Sequence, residues 1–296
     1  MRTLITGGAG FIGSKLVDFL VSEGHDVTII DNSPENKGPN RLTNPKVRNE
    51  PLDIRDIDKI EHLFQNIDCV FHMAALISVQ ESINNPIETS QVNILGTSNI
   101  LECCRRSSVS RVVFSSTSAI YESSNTSISE TNPKNCLSPY ATSKICGEEL
   151  MRLYHNLYGL EVIILRYFNV FGPGQKSDGP YAPVMATFME RSRKSQPLII
   201  TGNGLQSRDF VHVSDVVKAN YIAATCHKSH CNGNVYNVGS GQSFKIIDIA
   251  QSISKNIVYI PIREGEVLQS TADVTKIKEE LGWVPEMDLL MWLQNI

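Results

Sequence analysis

Thr3-Leu4-Ile5-Thr6-Gly7-Gly8-Ala9-Gly10-Phe11-Ile12-Gly13 is the stretch that decides the fold. A short apolar run of strand type, Thr3 to Thr6, ends in glycines at 7, 10 and 13, and helical spacing (Leu16, Val17, Phe19, Leu20) begins at Gly13 and runs to Glu23. Glycines at these three positions allow a tight turn, a close approach of backbone to a pyrophosphate, and close packing of the helix on the sheet. The helix N-terminus that follows offers amide donors and a partial positive charge to an anion. A second strand, Asp26 to Ile30, closes on Asp31, 18 residues after Gly13. A carboxylate there can accept from ribose hydroxyls and would repel a 2′-phosphate, while the adjacent Asn32 is uncharged, so NAD is favoured over NADP.

Outward from this unit the alternation continues. The patterns predict a helix over Ile57 to Gln65, a strand over Cys69 to Met73 and a helix over Val92 to Cys104. They continue with a strand over Arg111 to Ser115, a helix over Tyr140 to Tyr158 and a strand over Glu161 to Arg166. Unbroken apolar strands such as Val162-Ile163-Ile164-Leu165 suit a parallel sheet covered on both faces. The fold class expected is therefore α/β, a Rossmann-like doubly wound parallel sheet, with a smaller mixed α/β C-terminal lobe. Gly172-Pro173-Gly174 and Asp178-Gly179-Pro180 break the rhythm, and later segments (Pro197 to Ile200, Val211 to Ala224, Val235 to Val238, Lys245 to Ser254) are shorter and mixed. We expect residues 1–170 to form the dinucleotide-binding domain, 209–240 to return to it, and 171–208 with 241–296 to form the second lobe.

The composition excludes several classes. With 296 residues, 41% hydrophobic and 20% charged, the chain is neither disordered, collagenous nor coiled coil. Its net charge of -4 opposes a nucleic-acid backbone as main ligand. No apolar run approaches the roughly 18 residues needed to cross a bilayer, and the N-terminus has no signal-peptide pattern, so a cytoplasmic protein with no membrane partner is expected. Seven scattered cysteines suit reduced thiols. Cys226-His227-Lys228-Ser229-His230-Cys231 gathers four metal-ligand types in six residues, but so short a span converges poorly on a tetrahedral ion, and no metal is expected.

Tyr140-Ala141-Thr142-Ser143-Lys144 sets a phenol and an amine one helical turn apart on one face. A phenol of pKa about 10 is a poor base at neutral pH, but a neighbouring ammonium and a nicotinamide cation both favour the phenolate, which can then take a proton from a hydroxyl. Ser115-Ser116-Thr117 closes a preceding strand and brings hydroxyls to the same end of the sheet.

With these residues the chain resembles the extended short-chain dehydrogenase/reductase superfamily, and within it the NAD-dependent nucleotide-sugar epimerases and dehydratases. The resemblance runs nearly end to end. It also rests on Asp53-Ile54-Arg55-Asp56, His72-Met73-Ala74-Ala75, Asn93 with Gly96-Thr97, Leu165 to Pro173, Arg208 to Val216 and Tyr236-Asn237-Val238-Gly239. It implies that Asp53 and Ile54 lie by the adenine and that Phe11, Ile12, Met73, Ala74, Ala75, Asn93, Ser115 and Phe168 contact the cofactor. It further implies that Tyr140, Lys144 and Thr117 are catalytic and that Asn169, Arg208 and Arg263 hold the diphosphate of a UDP-sugar. Glu266 stands where the family has an aspartate on the uridine ribose, and Ser270 where a gatekeeper excludes or admits an N-acetyl group. Relatives that dehydrate or decarboxylate their sugar carry acidic residues where Ser118 and Ala119 stand, which leaves oxidation and reduction at one carbon. The reaction implied is C4 epimerisation of UDP-glucose and UDP-galactose, with the N-acetylhexosamine pair also admitted. The alternatives are another C4 epimerase, such as one acting on UDP-glucuronate, and a non-catalytic NAD-binding regulator. A homodimer through the helices at 92–104 and 141–158 is expected on the same ground.

Overall fold

The computed structural model describes residues 1–33, 47–177, 182–261 and 269–295. Seven parallel strands form the main sheet: β1 (Arg2–Thr6), β2 (Asp26–Ile30), β3 (Arg48–Glu50), β4 (Cys69–His72), β5 (Arg111–Thr117), β6 (Glu161–Tyr167) and, much later in the chain, β11 (Asn234–Val238). Their order is β11-β6-β5-β4-β1-β2-β3. The order reverses between β1 and β4, and a doubly wound sheet opens a crevice at the carboxyl ends of the strands there.

Outside the main sheet lie shorter strands. These are β7 (Asn169–Phe171), β8 (Leu198–Thr201), β9 (Ser207–Arg208), β10 (Phe210–His212), β12 (Phe244–Lys245), β13 (Ile257–Ile260) and β14 (Gln269–Ser270). β10 pairs with β7, β13 with β8, and β12 and β14 both with β9.

Each face of the main sheet buries its own apolar layer. Leu16, Val17 and Leu20 of the helix Phe11–Ser22 pack with Val216, Ala219 and Ala223 of the helix Val213–Thr225 over one face. Ile100, Leu101 and Met151, from the helices Gly96–Arg106 and Pro139–Tyr158, cover the other. A third cluster gathers around Phe171, Phe188, Phe210 and Ile249, outside the main sheet.

Several boundaries differ from those read in the sequence, for local reasons. The segment 211–224 is one strand and one helix, because His212 accepts from the Ser214 amide and caps the helix Val213–Thr225. The segment 92–104 starts as a π-turn over Gln91–Leu95, and the helix proper runs Gly96–Arg106. Thr97 donates to the Asn93 carbonyl there, while the Asn93 side chain turns inward to the Leu76 backbone and Ser143. The segment 57–65 is a helix Ile57–Ile60 that tightens to a 3₁₀ turn over Glu61–Phe64. No helix among the described residues is long and apolar enough to cross a membrane.

Candidate active site

A cavity of about 1000 Å3 runs along the carboxyl ends of the main strands toward β9 and β14. Its walls bring together Gly7, Gly10, Phe11, Ile12, Gly13, Asp31, Asn32, Asp53, Ile54, Met73, Ala74 and Ala75 from the first third of the chain. Ser115, Thr117, Tyr140, Lys144, Phe168 and Asn169 join them from the middle, and Arg208 and Ser270 from later in the chain. Asn93 does not line it: it is buried behind the wall and holds Leu76, which does. Arg263 and Glu266 lie outside the described residues.

The loop after β1 is shaped for close approach. Gly7 has φ +74°, and a Cβ at Gly13 would fall 2.2 Å from the Gly7 carbonyl oxygen. No side chain caps the helix Phe11–Ser22, whose N-cap is Gly10, so its first-turn amides face the cavity without a side-chain acceptor. Asp31 accepts from the amides of Ala9 and Ser33, both at 2.9 Å, which fixes the carboxylate against the glycine loop. Asp53 is paired with Arg55 at 2.7 Å and accepts from Asn32, and the guanidinium holds its carboxyl at about 2. These groups fit a dinucleotide: amides for the pyrophosphate and carboxylates for the ribose and adenine.

Behind the wall, His72 lies between Thr6 (2.7 Å to Nδ1) and Thr97 (2.9 Å to Nε2). The Thr97 hydroxyl already donates to Asn93 and therefore accepts from Nε2, which assigns a neutral ring with Nδ1 as acceptor. Burial pushes this imidazole down to about 3. Thr6 in turn accepts from the Met73 and Ala74 amides, so the histidine braces the strand end that lines the cavity.

Tyr140 and Lys144 rise from the first turns of the helix Pro139–Tyr158, which Ser138 caps by accepting from the Ala141 amide. Both are buried. Burial raises the Tyr140 phenol above its usual value, and a hydrogen bond with Thr117 works against that rise. Lys144 donates to the Ser115 carbonyl at 2.8 Å, and burial lowers its ammonium to about 8. The Thr117 hydroxyl also accepts from the Ala119 amide at 3.1 Å, fixing its rotamer at the end of β5. β14 pairs with β9 so that Ser270 is the register partner of Arg208. Asn169 donates through its side chain to the Asp209 carbonyl.

Two supports had no local signal in the sequence. Glu148 and Arg166 form an ion pair of 2.6 Å, both fully buried, directly behind β5. Ser116 donates to the same carboxylate, and Arg166 donates to the Tyr121 hydroxyl, which donates to Asn237. The pair thus ties the strand that carries Thr117 to the helix that carries Tyr140. Asp209, fully buried, accepts from the amides of Ser240, Gly241 and Ala272, and so fastens the chain beside Arg208 to the segment beside Ser270. Asp209 belongs to a run already singled out, Arg208 to Val216, but its acceptor role depends on three distant amides.

Comparison with known proteins agrees with this geometry. Residues 3–239 match the model of the NAD dependent epimerase/dehydratase family. A "Putative UDP-glucose 4-epimerase" of Methanocaldococcus jannaschii is 40% identical over 99% of this chain and 98% of its own length. A "UDP-N-acetyl-alpha-D-glucosaminuronate decarboxylase" of Bacillus cytotoxicus is 37% identical over 100% of this chain and 95% of its own. The solved structure of the UDP-glucose 4-epimerase of Thermotoga maritima with UDP-glucose is similar, with a TM-score of 0.92 and 34% identity over 99% of this chain and 96% of that one.

Proposed function

The chain belongs to the NAD-dependent epimerase/dehydratase family, and on that premise we propose that it epimerises a UDP-hexose at C4 through a transient 4-keto sugar. Its cofactor is NAD. The observation that carries the choice of reaction is the end of β5. Thr117, Ser118 and Ala119 offer one hydroxyl within hydrogen-bonding reach of Tyr140 and no carboxylate at the two following positions. Eliminating water or carbon dioxide from the sugar needs an added acid or base there, whereas oxidising and reducing one carbon needs a single proton-transfer group.

The residues divide the work as follows. Gly7, Gly10 and Gly13 admit the pyrophosphate, and Asp31 and Asp53 take the ribose and adenine. Bound NAD supplies the acceptor and donor of the hydrogen at C4. Tyr140 removes the proton of the sugar 4-hydroxyl, and Thr117 hydrogen-bonds the same oxygen as the proton moves. Below pH 8 Lys144 is mostly an ammonium, and its charge one turn away favours the Tyr140 phenolate against the burial that opposes it. Asn169, Arg208, Arg263 and Glu266 hold the nucleoside diphosphate, and a guanidinium fork suits phosphate oxygens. A sugar anchored only through its diphosphate can turn over within the cavity and present its other face. Ser270, small and at the register position opposite Arg208, leaves room for an N-acetyl group.

A second reading, decarboxylation of a UDP-uronic acid, is favoured by the Bacillus cytotoxicus relative and opposed by Ala119. NMR of the purified protein with UDP-glucose, UDP-N-acetylglucosamine and UDP-glucuronate in separate tubes distinguishes the two. The proposal expects UDP-galactose in the first tube and the galacto N-acetyl sugar in the second. Carbon dioxide released from the third, with no change in the others, rejects it.

A further inference from the structure

We propose that Cys226, Cys231, His230 and Glu280 form a binding site for one zinc-like divalent cation, remote from the NAD cavity. After the helix Val213–Thr225 the chain turns at Cys226 and passes through a 3₁₀ turn, Ser229–Cys231, into β11. That turn folds against the helix Thr275–Leu281, which is distant in sequence. Ligand atoms of His230, Cys231 and Glu280 all lie within 4.8 Å of one another, and Cys226 packs in the same apolar cluster as Cys231, beside this trio. The six-residue span cannot surround an ion by itself. Glu280 supplies the direction it lacks, from a separate element.

Tetrahedral zinc with bonds of roughly 2.0–2.3 Å sets its ligands about 3.5 Å apart, so loading draws the His230, Cys231 and Glu280 atoms together and turns Cys226 toward them. The backbone is already held. Arg111, buried and paired with Glu161, donates to the carbonyls of Ala223, Ala224 and Cys226 and also reaches Asn232. Lys228 donates to the Glu280 carbonyl at 2.7 Å. The Tyr236 hydroxyl donates to one Glu280 carboxylate oxygen at 2.6 Å, which orients the other as a ligand in the way outer hydrogen bonds fix metal-binding carboxylates.

The donor set selects the ion. Two thiols, an imidazole and a single carboxylate suit zinc or cobalt, and oxygen-seeking magnesium and calcium poorly. Loading releases both thiol protons to solvent. The resulting centre carries about one negative charge, from two thiolates and a carboxylate against a dication, and Lys228 and Lys276 stand beside it. The cluster lies at the amino end of β11, whereas Thr117 and the cavity lie at the carboxyl ends of the parallel strands. The ion therefore clasps the sheet edge and takes no part in the reaction.

The test is a titration of chelator-stripped, reduced protein with cobalt(II) in a phosphine reductant that carries no thiol. We expect one equivalent bound, with tetrahedral d–d bands and a thiolate-to-cobalt charge-transfer band that zinc bleaches. Cys226→Ser and His230→Ala each weaken binding at least tenfold, because each removes one of four ligands while buried Cys231 stays in place. Zinc raises the melting temperature of the parent protein and not of either variant, and turnover of the loaded parent and both variants is equal. Absence of the charge-transfer band in the parent, or its full retention in either variant, overturns the assignment.

Discussion

Tyr140 is buried where its charged form is disfavoured, and the hydrogen bond with the Thr117 hydroxyl opposes that effect. A base so placed depends on cations arriving with the cofactor and held on Lys144. Tyr140→Phe keeps the ring and its packing and removes the proton acceptor. We expect NAD to remain bound, measured by its absorbance in denatured protein, and turnover to fall by at least about a hundredfold; turnover within a few fold of the parent removes Tyr140 from the role of base. His72 carries a different consequence. Its folded value of about 3 lies below the unfolded value of about 6.5, so the unfolded chain binds the extra proton between them. Its contribution to stability is complete above pH 6.5 and is lost as pH falls toward 3. Between pH 7 and pH 5 this one group removes about 2 kcal/mol of stability. Denaturant unfolding at the two pH values should show that loss shrink by about the same amount in His72→Asn, and an unchanged difference contradicts the assignment.

At the scale of elements, the glycine loop and the Tyr140 helix were legible because each function there is carried by residues close together in sequence. Gly13 must lack a side chain because the Gly7 carbonyl occupies its Cβ position, and that contact spans only six residues. The Glu148–Arg166 pair was not legible. A glutamate and an arginine 18 residues apart have no local pattern that says both are buried, and only the pairing of β5 with β6 beneath the helix brings them together. Helix boundaries blurred for a related reason. Asn93 bends its helix into a π-turn to reach Leu76 and Ser143, contacts made across the fold. Breaking a buried ion pair from one side strands a charge, so Arg166→Met should cost about 3–5 kcal/mol in urea unfolding. A loss below about 1 kcal/mol means that Glu148 finds another partner and the pair does not brace β5.

At the scale of the whole molecule, one cavity collects residues from the loop after the first strand to the last strand. We propose that the seven-stranded sheet, with residues 209–240 returning to it, holds NAD and the proton-transfer set, and that 171–208 with 241–296 reads the nucleotide sugar. The net charge of -4 gives an anionic substrate no overall attraction, and we propose that recognition falls to placed groups such as Arg208. Sugar selection belongs to this scale, because Ser270 reaches the cavity only through the pairing of β14 with β9. Ser270→Tyr should reduce turnover of UDP-N-acetylglucosamine at least tenfold and spare UDP-glucose, and an equal loss of both refutes the gate.

Epimerisation as proposed oxidises C4 by loss of its hydrogen and reduces it by return of that same hydrogen, with no exchange to solvent. UDP-glucose deuterated at C4, incubated with the purified protein in ordinary water and followed by NMR and mass spectrometry, tests it directly. The account predicts UDP-galactose that retains the deuterium at C4. UDP-galactose that has lost the label, or no UDP-galactose at all, contradicts it.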